Sequence, residues 1–356
     1  VVSKDILVMS TMSTPTGVAM MSGLVYTPGG RGGFDWAASS LPVPVVKKGS
    51  KKVLVKVLAV GLNAADVRLT QMPYVARFAA KGVVGMDFVG KVMNAPVGST
   101  FKDGDVVFGT SSSMLADYAL CDDGSDPKAP VMVLPALVSV EQAAGLSMAG
   151  TTALKGLRLA CTKGSPEEQG LAGKRVLVLG ASGGVGVFGV QIAKLMGASF
   201  VAGVCSGANG EMVRGLGCDE VWDYKAPGFE FPTEEDALFD VILDTASSMF
   251  PGDVDYYPRA IKSLKPGSGQ YVAVGSGLWS DIFKMVASFM LPRWLSPQKK
   301  QFLAFVSSEN RPDLDTLAAW VASGRLVVPV GSVMPFAEEP CKEALAVVES
   351  RRTKGK

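Results

Sequence analysis

One stretch constrains this chain more than any other: Arg175-Val-Leu-Val-Leu-Gly-Ala-Ser-Gly-Gly-Val-Gly186. Val176 to Leu179 is an uninterrupted apolar run, the pattern of a parallel strand buried on both faces. It enters a glycine-rich turn directly, and beyond the turn Val185, Gly189, Ile192 and Met196 recur at helical spacing. Strand, glycine turn and helix together are the start of a βαβ unit, and that context gives a glycine pattern meaning. Small residues let the backbone approach a diphosphate, while the helix start offers free N–H groups and the positive end of its dipole. The dinucleotide pattern reads Ala-x-Gly-x-x-Gly, with Ala181 in the first glycine position. Gly180, Ala181, Ser182, Gly183, Gly184, Val185 and Gly186 are therefore candidate cofactor contacts. The competing reading is a tight strand-to-helix turn that holds nothing.

A length of 356 residues points to two domains. The net charge of +2, with no long basic run, argues against a nucleic-acid partner. No uncharged apolar stretch is long enough to cross a bilayer as a helix. The 5 cysteines are scattered, with no C-x-x-C spacing, which speaks against a disulfide framework and for a reducing compartment. The sequence contains 0 histidines. Ser-His-Asp triads, His-Cys dyads and histidine-ligated zinc are thereby excluded, and no metal ligands are assigned. The remaining chemistry is that of a cofactor helped by tyrosine, lysine, carboxylate, backbone dipoles or water.

Residues 1–20, rich in Ser, Thr and Met, read as a tail or the remnant of a removed targeting peptide. Strand-like segments follow at Gly23–Tyr26, Leu41–Val46, Val53–Val60, Val83–Val92, Asp105–Phe108 and Tyr118–Leu120. Their spacing predicts a small β-barrel-like domain. Val140–Arg158 is predicted helical, capped by Ser139 with Glu141 in its first turn. From Arg175 strands and helices alternate, with strands at 175–179, 199–204, 220–222, 239–243 and 270–274, a doubly wound parallel sheet. Leu278–Leu295 reads as an amphipathic surface or dimer segment. Thr316–Ser323 and Pro340–Arg351 read as closing helices.

Taken together, the motifs resemble the zinc-independent medium-chain dehydrogenase/reductase family in its quinone oxidoreductase-like branch. They are Ala59-Val-Gly-Leu-Asn-Ala-Ala-Asp-Val-Arg68, Val84-Gly-Met-Asp-Phe-Val-Gly90, Phe101-Lys-Asp-Gly-Asp-Val-Val-Phe-Gly109, Ala149-Gly-Thr-Thr-Ala153, Phe239-Asp-Val-Ile-Leu-Asp244 and Leu264-Lys-Pro-Gly267. Cys205 to Asn209 and Asp219-Glu-Val-Trp-Asp-Tyr-Lys225 look most like the chloroplast envelope quinone oxidoreductase homologues. Ala65 and Met86 stand where zinc-binding relatives place ligands. The resemblance implies a GroES-like catalytic domain from residues 21–145 and 300–356, with a Rossmann domain at 146–299 and NADPH in the cleft. Relatives continue past a Gly-Lys pair into an apolar strand, so an unpaired sheet edge is expected near Gly355-Lys356.

An NAD-binding strand usually ends in Asp or Glu about 20 residues past the glycines. Here the sequence is Val204-Cys-Ser-Gly-Ala-Asn209 with no acid, which favours NADPH. Ser206 and Asn209 can donate hydrogen bonds, and by resemblance Tyr224 and Lys225 contact the 2′-phosphate. Resemblance also places Gly275 beside the cofactor, Asn63 and Thr152 at the nicotinamide side, and Tyr74 where enoyl-thioester reductases carry a proton-donating tyrosine. Water is the other proton source. Asp66 and Asp87 are expected to hold loops rather than to act as acids.

The expected activity is hydride transfer to an apolar enone or quinone, with homodimerisation and peripheral membrane attachment both open. The alternative is a non-catalytic subunit of an organellar membrane complex on the same fold. Family likeness places the chain in the chloroplast, with mitochondrion or cytoplasm as alternatives.

Overall fold

The computed structural model describes residues 2–3, 19–27, 33–71, 82–161, 167–247, 254–274, 302–305, 309–351 and 353–356. The first part contributes β1 (Val2–Ser3), β2 (Met20–Tyr26), β3 (Phe34–Pro42), β4 (Lys52–Gly61), α1 (Ala64–Gln71), β5 (Asp87–Asn94), β6 (Val106–Thr110), β7 (Tyr118–Asp122), β8 (Val131–Val133) and α2 (Val140–Leu159). There follow β9 (Arg175–Leu179), α3 (Gly186–Leu195), β10 (Phe200–Cys205), α4 (Gly210–Gly215), β11 (Glu220–Asp223), β12 (Val241–Asp244), α5 (Tyr257–Ala260), β13 (Gln270–Val274) and β14 (Phe302–Phe305). α6 (Arg311–Ala322), β15 (Met334–Pro335) and α7 (Glu338–Glu349) close the described chain.

Two main sheets result. One has seven strands in the order β15-β1-β4-β5-β6-β8, with β7 also pairing β4. Its long strand β4 alternates buried and less buried positions before becoming buried throughout at Ala59–Gly61, where α2 covers it. Val2–Ser3, expected as part of a tail, pairs with β4 and β15. The other sheet is wholly parallel in the order β11-β10-β9-β12-β13-β14. Numbered from β9, that order is 3-2-1-4-5-6, which reverses between β9 and β12, the place where doubly wound sheets bind ligands. β9 carries the glycine turn at its C-terminal end, on that reversal.

α2 joins the sheets. Ser139 Oγ accepts from Gln142 N at 3.2 Å, and Gln142 Oε1 accepts from Ser139 N at 3.0 Å, a reciprocal cap. The helix then runs unbroken across residues 145–146, the expected domain boundary, and packs on β4 and β5 of one sheet and on β13 of the other.

The sequence reading differs from the structure at further points. Leu41–Val46 is not a strand: β3 ends at Pro42, and Pro44 has no N–H to continue a ladder. The strand expected from Val83 begins at Asp87, because Gly85 turns the chain at φ +93°. Residues 302–305, assigned to the catalytic domain, form the sixth parallel strand beside β13. The helix expected from Thr316 starts at Arg311, capped by Asn310 with Pro312 in its first turn. Leu278–Leu295 lies outside the described residues. Among the described residues no helix is long and apolar enough to cross a membrane.

Candidate active site

The glycine turn is built so that side chains are excluded where the backbone must close up. Gly180 has φ +75°, in the left-handed region that favours glycine, and lets the chain leave β9 sharply. A Cβ on Gly186 would lie 2.1 Å from Gly180 O, so only glycine fits the first residue of α3. Ala181 is tolerated in the first glycine position because its methyl packs on Gly203 of β10, where a Cβ would lie 2.9 Å away. Its N–H and that of Gly180 donate to Val204 O at 3.0 Å, which fastens the turn to β10. No side chain caps α3 at Val185. Gly183, Gly184 and Val185 remain half-exposed, and among the described residues a Cβ on Gly183 would meet only Gly180 O at 3.3 Å. An uncapped helix start with an open glycine tip fits a diphosphate.

Facing the turn is a buried polar cluster from the other sheet. Asp87, at the start of β5, is wholly buried; its oxygens accept from Asn63 Nδ2 at 2.9 Å, Thr110 Oγ1 at 2.9 Å and Met148 N at 3.1 Å. Asp66 in α1 is equally buried; its Oδ2 accepts from Asn63 N at 2.8 Å, and its Oδ1 has no partner among the described residues. Burial raises both carboxyls, Asp66 to about 7 and Asp87 to about 6. For Asp66 the backbone hydrogen bond from Asn63 acts against burial. For Asp87 the main opposing influence is the charge of Lys356. Lys356 Nζ donates to Asn63 Oδ1 at 2.5 Å and to Leu62 O at 3.2 Å. Burial pushes this ammonium below the usual lysine range, while Asp87 and Asp66 pull it back.

The predicted nucleotide-side residues gather at the ends of β10 and β11. Asn209 Nδ2 donates to Ser182 Oγ at 3.1 Å, tying the turn after β10 to the glycine turn. Ser206 precedes this short turn, and Tyr224 and Lys225 are exposed just past β11, with Lys225 Nζ 5.6 Å from the Tyr224 ring centre. β10 ends without an acid, yet Asp223 of β11 reaches the same place. Its Oδ2 would lie 2.5 Å from a Cβ on Gly207, and its Oδ1 accepts from Lys225 N at 2.9 Å.

Asn63 thus sits between Lys356 and Asp87, both ends of its amide engaged within the protein. Thr152 is buried on α2, one turn beyond Met148. Asp66 and Asp87 hold loops, as expected. Tyr74 and Gly275 lie outside the described residues. Sequence reasoning missed Lys356 and Asp223. Gly355-Lys356 was visible only as a short pair far from every other site residue, and Asp223 sits one strand away from where an acid is sought. Among the described residues no three Cys, Asp or Glu side chains come together as a metal-holding group.

Comparison with known proteins places this architecture. Residues 49–154 match the alcohol dehydrogenase GroES-like domain family, and residues 216–356 match the zinc-binding dehydrogenase family. The chain is 30% identical over 328 residues to a trans-enoyl reductase of Aspergillus terreus, covering 89% of this chain and 88% of that one. It is 28% identical over 334 residues to the chloroplast envelope quinone oxidoreductase homolog of Arabidopsis thaliana, covering 90% and 92%. Among solved structures, the quinone oxidoreductase of Coxiella burnetii superposes with a TM-score of 0.72 at 21% identity, covering 95% of this chain and 97% of that one. With a GroES-like part, a 3-2-1-4-5-6 parallel sheet and relatives matched along most of its length, the chain belongs to the medium-chain dehydrogenase/reductase family, among its quinone oxidoreductase-like members.

Proposed function

We propose that this oxidoreductase is an NADPH-dependent reductase of quinones or α,β-unsaturated carbonyls. The observation that carries the reading is the uncapped glycine turn at the β9/β12 reversal, facing the cluster of buried Asn63 and Asp87 with part-buried Lys356. The likeness to a trans-enoyl reductase and to a quinone oxidoreductase homologue supports the substrate class.

When bound, the nicotinamide cofactor supplies the hydride. The chain's own part is to bind and orient. The amides of Gly184, Val185 and Gly186 and the start of α3 hold the diphosphate. Asn209, fixed to Ser182, sets the turn after β10 against the adenosine side, and Lys225 with Tyr224 meets the 2′-phosphate. Asp223 beside Gly207 opposes that phosphate and limits the preference over NADH. At the other end Thr152 and Asn63 flank the ring side, Asn63 acting through the groups it holds.

The experiment is a screen of enones and quinones that follows NADPH absorbance, run beside NADH. Oxidation of NADPH by members of either class is expected. No oxidation with any of them, together with co-purification in a larger assembly, would favour a non-catalytic subunit. Likeness to the envelope homologue also leads us to place the protein at a plastid membrane surface. Fractionation that finds it only elsewhere refutes that placement.

A further inference from the structure

The end of the seven-stranded sheet farthest from the cleft carries charge and apolar surface that the site does not use. Lys47, Lys48, Lys51, Lys52 and Lys56 fall within residues 36–65, which contain no Asp or Glu, in a chain of net charge +2. Two turns project there. One is closed by Ser50 N donating to Lys47 O at 3.0 Å, the other by Ser99 N donating to Pro96 O at 3.1 Å. Asp123 holds them side by side: its N–H donates to Lys51 O at 3.2 Å, and its carbonyl accepts from Thr100 N at 3.1 Å. Gly49 and Gly98 stand in these turns with φ +78° and +94°, and among the described residues a Cβ on either would meet nothing within 4 Å. Beside them Val45 is 76% exposed, Val97 fully so and Met93 41%.

Behind the turns the basic strip continues along β4 and β5. Lys56 lies in register with Lys91, both exposed, and like charges directly opposite one another destabilise a sheet. Lys52 faces Asp122 of β7, whereas Lys47, Lys48, Lys51, Lys56 and Lys91 have no ion pair among the described residues. Of the other acids at this end, Asp123 is buried and Asp103 turns back to accept from Ala95 N at 2.8 Å. Such a strip calls for a negatively charged surface. The apolar side chains decide its kind. Val45 and Val97 stand singly beside turn tips rather than lining a groove, so a rigid protein partner would need a separate hollow for each. A bilayer interface receives them one at a time, and anionic headgroups meet the lysines around them. We propose that this end of the sheet docks on a membrane of anionic lipid, Val45 and Val97 entering the headgroup region and the unpaired lysines meeting lipid phosphates. The inference deepens the membrane-surface placement given above and rests on it. β4 carries the chain about 30 Å from Lys52 to Gly61, at roughly 3.3 Å per residue, so docking leaves the cleft free.

Cosedimentation of the full chain with vesicles of phosphatidylcholine, alone or with about one third phosphatidylglycerol, tests this. Binding is expected only with the anionic lipid and should weaken as salt is raised. Lys47→Gln, Lys48→Gln and Lys51→Gln together should weaken it about a hundredfold, at roughly fivefold per lysine. Lys56→Gln with Lys91→Gln should weaken it about tenfold and melt no earlier than the parent, since a like-charge pair is removed. Val45→Ser with Val97→Ser should weaken it at least about threefold with the salt dependence kept. No binding by the parent chain, equal binding to both vesicle types, or anionic binding that the lysine variants leave unchanged would overturn the proposal. So would binding to poly-glutamate without binding to vesicles, which would make the face a dock for acidic protein. Fractionation reads the placement separately: a chain found at the membrane whose lysine variants bind vesicles like the parent keeps the placement and loses this surface.

Discussion

Asp66→Asn should flatten the pH dependence of stability between about pH 4 and pH 7, the interval that the raised carboxyl spans. Asp66 is wholly buried and has one oxygen on Asn63 N and the other on nothing among the described residues. Burial raises its pKa from 3.8 to about 7. The folded chain therefore keeps a proton that the unfolded chain releases as pH rises through this interval. Stability falls with rising pH wherever the folded state binds more protons. At ~1.36 kcal/mol per pKa unit, roughly three units give an upper bound of ~4 kcal/mol. Below the interval both states are protonated, and above it both are ionised, so the difference is flat on either side. Asp87, raised to about 6, loses stability in the same direction. Because both carboxyls share Lys356, the change assignable to Asp66 alone should be about 2–3 kcal/mol. Asparagine preserves an acceptor for Asn63 N but leaves buried amide protons unpaired, at a pH-independent cost of ~1–3 kcal/mol. Only the slope is therefore read. Urea unfolding of both proteins at several pH values from 4 to 8 should show the variant gaining about 2–3 kcal/mol relative to its parent across the range. A difference constant to within about 0.5 kcal/mol, or one of opposite sign, would mean that Asp66 is ionised throughout and would refute the reasoning.

Three further outcomes follow from single contacts. Tyr271→Phe removes the phenol that donates to Asp244 Oδ2 at 2.5 Å inside the parallel sheet and should cost ~1–3 kcal/mol in denaturant melts; an unchanged midpoint argues against that bond. Lys225→Ala should lower the ratio of kcat/KM for NADPH over NADH about three- to tenfold, the modest size reflecting its exposure; an unmoved ratio removes Lys225 from the 2′-phosphate. Gly186→Ala puts a methyl 2.1 Å from Gly180 O, so cofactor affinity should fall at least about tenfold with ~1–3 kcal/mol of stability; wild-type affinity would mean that the turn is not the cradle.

How much was legible depended on whether the signal was local. The β9 run, the glycine turn and the Ser139 cap are decided within a few residues, and the structure places all three as read. Val83–Met86 looked like strand because its residues are apolar, but Gly85 at φ +93° overrode the side chains. β14 is four residues long and reads as nothing alone; it becomes a strand by pairing with β13. The Asn310-Arg-Pro cap of α6 is itself a local start signal, weaker to the eye than the apolar run that follows it. The cluster beneath the cleft was the least legible part. Asn63, Asp87 and Lys356 come from three distant segments, and only the packing of both sheets on α2 and the return of residues 353–356 bring them within hydrogen-bond reach. Asp66 and Asp87 were readable as loop-holding residues from their motifs, whereas the unpartnered oxygen of Asp66 is a property of burial alone.

A dinucleotide whose diphosphate rests on the tip of the glycine turn is what the functional reading requires, and Gly183→Asp tests it at one atom. Among the described residues a Cβ on Gly183 would meet only Gly180 O, at 3.3 Å, a tight contact that a shift of a few tenths of an ångström relieves, so the variant should fold. A carboxylate there would face the diphosphate directly. Calorimetric titration should show NADPH binding to the parent chain and at least about a hundredfold loss in the variant, with the melting transition retained. NADPH affinity equal in the two proteins would contradict the account.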